Sequence, residues 1–110
     1  MVQRKVWSTA KAGAIQRLTL IEEDLPELAD DEVQTTVKAV GLNFADIFAL
    51  TGLYSATPEG RFIPGLEYSG VVSRVGKNCT RFNVGDRIMA VSRFGGYASI
   101  IQSKEDYLVP

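Results

Sequence analysis

The chain has 110 residues, 45 % hydrophobic and 23 % charged, enough apolar material for one domain around one core. Twelve Lys and Arg stand against thirteen Asp and Glu, a net charge of −1. That balance excludes nucleic acid and an anionic membrane as main partners, because both require a basic face.

There is no histidine and one cysteine, Cys79. No Ser-His or Cys-His nucleophile pair can form within the chain, and neither can an internal disulfide. A tetrahedral zinc site, which draws its ligands mainly from Cys and His, is excluded too. The opening MVQRKVW lacks the apolar segment of a secretory signal. No apolar run nears the roughly 18 residues of a membrane span. A reducing cytoplasm is the expected compartment.

Residues 2–8 read as a first strand, with Val6 and Trp7 apolar, and Ala10 to Gly13 as a turn. Residues 14–21 alternate through Ile15, Leu18, Leu20 and Ile21, so the two runs predict a hairpin. The acidic clusters Glu22-Glu23-Asp24 and Asp30-Asp31-Glu32, on either side of Pro26, read as solvated loop. From Val33 the period is two. Val33, Thr35, Val37 and Ala39 fall on one face and Gln34, Thr36 and Lys38 on the other, a half-buried strand that Gly41 ends.

The segment Gly41 to Gly70 is the least generic part of the chain. Asn43 is placed to cap a helix, with Asp46 three residues on, near the positive end of the helix dipole. Phe44, Ile47, Phe48 and Leu50 supply its expected buried stripe, and Gly52 its stop. Residues 53–66 are irregular. Strands are predicted at Tyr68 to Val75, Arg87 to Val91, Tyr97 to Gln102 and Tyr107 to Val109. Turns are expected at Phe82 to Asp86 and Gly95-Gly96. Six or seven short strands with turns about every ten residues indicate a small, mostly β barrel or sandwich.

Taken one at a time, the candidate groups have modest readings. Asn43 and Asp46 need do no more than cap a helix. Tyr54, just past a helix-ending glycine, is most simply a loop-packing aromatic. Glu67 beside Gly65 reads as a buried carboxylate supporting the turn, with Arg74 or Arg87 as partner, since an unpaired buried charge is costly. The stretch from Gly70 to Asn78 fails as a phosphate loop, in spacing and in carrying Asn78 where Ser or Thr is required. No G-x-G-x-x-G occurs, so the chain carries no dinucleotide fingerprint.

The ordered set is more specific than its parts. Gly41-Leu42-Asn43-Phe44-Ala45-Asp46, Gly52-Leu53-Tyr54, Pro64-Gly65-Leu66-Glu67, Gly70-Val71-Val72, Val84-Gly85-Asp86-Arg87 and Gly95-Gly96-Tyr97-Ala98 follow one another as they do in one family. Residues 1–110 resemble the N-terminal catalytic domain of medium-chain dehydrogenases/reductases. Within that family the chain is most similar to the zinc-independent quinone oxidoreductase branch, which is zeta-crystallin-like and VAT-1-like. The zinc-dependent branch has Cys-His where this chain has Asn43-Phe44, and Gly-His-Glu where it has Gly65-Leu66-Glu67.

The resemblance implies a GroES-like fold, a partly open β-barrel with one or two short helices. It implies NADPH-dependent reduction of quinones or α,β-unsaturated carbonyls, with no zinc. Asn43 and Tyr54 would be the catalytic donors at the nicotinamide, Asn43 and Phe44 would contact the cofactor, and Asp46 and Glu67 would stand behind them. The family continues into a Rossmann domain that binds NADPH, and the longer protein would form a homodimer. This chain stops near that crossing. It is therefore expected to be an excised or truncated domain with little or no reductase activity alone. The alternative is a stand-alone GroES-like binding or scaffolding module without catalysis.

Overall fold

In the computed structural model, which describes residues 2–53 and 57–110, strands β1 (Gln3–Ser8) and β2 (Thr19–Asp24) pair antiparallel with Val6 opposite Ile21. The hairpin is as expected, but β2 begins five residues late. Residues 15–17 instead form a 3-10 turn, in which the Leu18 N–H donates to Ile15 O at 3.0 Å. The three-residue spacing of Ile15 and Leu18 fits that turn better than it fits a strand.

Glu22, Glu23 and Asp24 are likewise strand rather than loop. They lie opposite Lys5, Arg4 and Gln3, so the acidic run is one side of a cross-strand charge ladder. Glu23 is its centre. Its Oε1 accepts from Arg4 Nη2 at 2.8 Å and its Oε2 from Arg61 Nη2 at 3.2 Å. Burial would raise the Glu23 carboxyl, but the hydrogen bonds and charges of Arg4 and Arg61 outweigh it and hold the group below its usual range. Glu23→Gln should therefore lower stability by about 1 kcal/mol near neutral pH. The difference from wild type should fade as acid takes the pH down through the lowered Glu23 value, because only the folded state holds the charged form preferentially. Urea midpoints at neutral and acid pH measure it; a gap that widened in acid would contradict the assignment.

The main sheet contains β3 (Glu32–Val40), β4 (Glu67–Val75), β5 (Arg87–Val91), β6 (Ile100–Lys104) and β7 (Leu108–Val109), in the order β6-β3-β4-β5-β7 with antiparallel neighbours. The hairpin joins it through the Val6–Ala98 bridge and through the Ser99 N–H to Lys5 O bond of 2.9 Å. The sheet thus curls into the partly open barrel expected from the strand count. Alternation in β4 and β5 sends Tyr68, Val72, Ile88 and Ala90 inward, where they meet Val6, Val33 and Leu108.

β3 departs from simple alternation. Val33, Gln34 and Thr35 are all buried, while Ala39 is exposed. The register with β4 shifts between Gln34 and Thr35, where Ser73 of β4 is the extra residue, and again between Val37 and Ala39, where Lys38 of β3 is; the second shift breaks the alternation of β3 itself. Buried Gln34 is satisfied by donating to Gln102 Oε1 at 3.0 Å and accepting from Ser73 Oγ at 2.8 Å. The last strands also begin late: Tyr97 stays outside β6, and residues 105–107 form a 3-10 turn before β7.

Candidate functional site

The helix α1 (Phe44–Thr51) follows β3 after a three-residue link. Asn43 takes the N-cap position with extended φ/ψ of −129° and 152°. The backbone N–H of Asn43 donates to Asp46 Oδ2 at 3.0 Å, and that of Asp46 to Asn43 O at 3.0 Å. Gly52, at φ +85°, turns the chain out of the helix. Both ends match the sequence-based expectation, since capping depends on residues a few positions apart.

The face that α1 buries does not match. Of the expected stripe only Leu50 is buried; Phe44 is 81 % exposed, and Ile47 and Phe48 are nearly half exposed. The buried positions are Asp46, Ala49 and Leu50, an i, i+3, i+4 set. Ala49 and Leu50 pack on Phe62, whose ring meets Phe94 edge-on at 5.7 Å. The Gly13 N–H donates to Leu50 O at 2.8 Å and fixes the far end. Flanked by Leu42 and Leu53, about four-fifths exposed, the outward side of α1 is an apolar wall.

A carboxylate occupies the buried stripe because it has a partner there. Asp46 is 3 % exposed, and the Tyr97 hydroxyl donates to its Oδ2 at 2.8 Å. Tyr97 is itself clamped: its N–H donates to Pro64 O at 2.9 Å, and its carbonyl accepts from the Trp7 N–H at 2.9 Å. Beside it, the Gly96 N–H donates to Gly65 O at 3.1 Å and the Gly95 N–H to Ile63 O at 2.8 Å. Two glycines let these backbones touch. A Cβ on Gly65 would lie 2.8 Å from Gly96 Cα and 2.7 Å from Tyr97 Cδ1. Burial pushes the Tyr97 phenol above the usual tyrosine range, and the hydrogen bond to Asp46 and the carboxylate charge push the same way. Tyr97 therefore stays a proton donor.

Asn43 is partly buried, and its Nδ2 is enclosed with no hydrogen-bond partner among the described residues. The structure thus brings Asn43, Asp46 and Tyr97 together, with Phe44 at the outer side of the same turn. Tyr54 lies outside the described residues. A hollow of about 470 Å³ opens beside the turn, lined largely by Trp7, Leu18, Leu20, Leu42 and Tyr97; Asn43 and Phe44 are not among its walls.

Glu67 departs from expectation. It is exposed, and among the described residues no ion pair involves it. Glu67 pairs with Val91 and Arg87 with Val71, which separates the two by four strand positions, roughly 13 Å. Arg74 is seven positions along β4, roughly 23 Å away. Glu67 lies instead over Gly41, where a Cβ would collide with its carboxyl group. Tyr97 is the residue that sequence reasoning passed over; its signal was an aromatic directly after Gly95-Gly96. Among the described residues no group of three or more Cys, Asp or Glu could hold a metal ion, and no helix is long and apolar enough to cross a membrane.

A curled barrel with a short capped helix between its third and fourth strands defines a GroES-like domain. Residues 29–110 match the family described as alcohol dehydrogenase GroES-like domain, and the chain belongs to that family. Its relatives within it include VAT-1-type proteins and quinone oxidoreductases. It is 31 % identical over 96 residues to the human synaptic vesicle membrane protein VAT-1 homolog-like, covering 87 % of this chain and 23 % of that protein. It is 39 % identical over 93 residues to the quinone oxidoreductase of Salmonella typhimurium, covering 82 % of this chain and 28 % of the relative. The crystal structure of the human VAT-1 homolog-like protein superposes with a TM-score of 0.91 at 29 % identity, over 98 % of this chain and 35 % of that one. The Escherichia coli quinone oxidoreductase complexed with NADPH gives 0.85 at 29 % identity, over 98 % and 32 %. The chain therefore spans about a quarter to a third of the length of these relatives.

Proposed function

We propose that this chain is the substrate-side domain of an oxidoreductase that reduces quinones or α,β-unsaturated carbonyls with NADPH and without zinc. The observation that carries the reading is the enclosed Nδ2 of Asn43, a donor with no acceptor, set beside the outward ring of Phe44. An unengaged buried donor costs about 1–3 kcal/mol, so a turn of the side chain that brings the amide to an acceptor recovers that much. The two residues suit the nicotinamide end of NADPH, one as amide donor and one as flat apolar wall. The diphosphate end has no counterpart here, since the chain lacks a glycine-rich fingerprint, and belongs to a dinucleotide-binding domain.

NADPH, when bound, supplies the hydride. The chain's own part is to place and stabilise. Reduction of a conjugated carbonyl develops negative charge on oxygen, and with no metal ion that charge needs hydrogen-bond donors. The Asn43 amide and the Tyr54 phenol are donors of the right kind. Phe44 keeps water from one side of the reacting pair, and Asp46 holds the turn behind Asn43. Glu67, draped over Gly41, supports the entry to the same turn from the β4 side.

The test is NADPH consumption with a simple quinone and with an enone, by the protein in which this chain works alongside a dinucleotide-binding domain. Turnover is expected with at least one of the two. None with either overturns the reading and leaves a non-catalytic binding module. Within that protein Tyr54→Phe should lower kcat on the order of tenfold to a hundredfold. An unchanged kcat would remove Tyr54 from its role.

A further inference from the structure

We propose that Tyr97 is a positioning residue: through its hydroxyl bond to Asp46 it fixes the first turn of α1, and so keeps the Asn43 side-chain amide in one orientation, with its nitrogen not drawn onto Asp46. The inference rests on the oxidoreductase reading for its purpose, though not for its geometry.

Three features of the structure support it. First, Asp46 Oδ2 already accepts both the Tyr97 hydroxyl at 2.8 Å and the Asn43 backbone N–H at 3.0 Å. One carboxylate oxygen thus joins the barrel wall to the turn that carries Asn43. Second, Tyr97 comes from a rigid place. Its backbone is hydrogen-bonded on one side to Pro64 and on the other to Trp7, and its ring rests on Gly65. A hydroxyl held that firmly can dictate where Asp46 sits, and 51 positions of sequence separate the two. Third, the Asn43 Nδ2 remains without a partner although enclosed. The Asp46 carboxylate accepts from the Asn43 backbone, and the Asn43 side-chain oxygen faces the Asp46 backbone N–H in the same capping box, so the turn uses the oxygen of this amide and leaves its nitrogen unengaged. Without the Tyr97 hydroxyl the buried Asp46 would have one hydrogen-bond donor fewer. It would then compete for another donor, and the Asn43 amide nitrogen, in the same capping box, is unengaged among the described residues.

Two variants test this, Tyr97→Phe and Asp46→Asn. Each is made in this chain and in the protein that adds the dinucleotide-binding domain. Phe keeps the ring packed on Gly65 and removes one oxygen; Asn keeps the shape of Asp46 and removes its charge. In the two-domain protein kcat for a simple quinone should fall about tenfold in each variant while KM moves less than about twofold. The double variant should be no slower than the slower single. In this chain the Asn43 side-chain amide signals in nitrogen-edited NMR should shift, and their exchange with water should change severalfold.

A purely structural tyrosine would lower the melting temperature and leave both readouts where they were. An unmoved Asn43 amide, or an unmoved kcat, overturns the inference. Should wild type not consume NADPH at all, the proposed function falls and the amide spectrum alone decides the role of Tyr97. Loss of the fold in both variants would assign the pair to stability and overturn it as well.

Discussion

Gly65→Ala removes most of the stability margin of a domain of ordinary stability, so urea unfolds it at concentrations where the wild type is still folded. Two effects add. The φ of +109° is strained for any residue with a Cβ, which costs about 1–3 kcal/mol. The new methyl would also lie 2.8 Å from Gly96 Cα and from the Tyr97 backbone nitrogen, and main chain cannot swing aside as a side-chain tip can. Overpacking of that kind adds roughly 1–3 kcal/mol. The sum, about 4 kcal/mol, is a large share of the 5–15 kcal/mol that holds a domain together. Gly85→Ala is the internal control. It has a similar φ of +95° but nothing within 4 Å of the added carbon, so it bears the backbone strain alone. Urea unfolding of the two variants side by side measures the difference. Equal midpoints would mean that the Gly65–Gly96 approach contributes nothing.

Asn43→Leu gives the opposite pattern, with activity lost and the fold kept. Leucine matches the outline of asparagine and has no N–H to leave without an acceptor. The enclosed, partnerless Nδ2 goes, and the Asp46 carboxylate still accepts the backbone N–H of residue 43. Removing a buried unsatisfied donor is neutral or stabilising, whereas loss of an N-cap residue costs about 1 kcal/mol; the two offset to within about 1 kcal/mol. In the two-domain protein kcat should fall about a hundredfold, the usual effect of deleting one donor to a developing oxyanion. A variant turning over within twofold of wild type would take Asn43 out of the site.

What the sequence made legible was mostly local. Asn43 and Gly52 bound α1 because each cap is decided by residues within a few positions. The glycine and proline pairs that carry the family resemblance, Pro64-Gly65 and Gly95-Gly96, turn out to be the two sides of one backbone clasp. What stayed hidden depended on distant partners. The outward turn of Phe44, Ile47 and Phe48 follows from the hold of Tyr97 on Asp46, which no periodicity in residues 43–52 encodes. The acidic run of β2 passes for solvated loop unless Arg4 and Lys5 are known to lie across from it. A bulge at Lys38 of β3, together with a second at Ser73 of its partner β4, breaks a pairing that alternation alone makes regular over seven residues. Glu67 reads as a buried carboxylate from its place in a glycine-rich turn, but the register of β4 with β5 puts Arg87 out of its reach and the length of β4 does the same for Arg74.

The wall formed by Leu42, Phe44 and Leu53 has a kinetic consequence. The helix behind it is tethered at its first turn by Asp46 and at its last by Leu50, so its shape exists before anything meets it. Molecules that settle there find a finished mould and lose little motion from the host. Association would then need no slow ordering step, and selection among candidates would act on how well each one fits as it arrives.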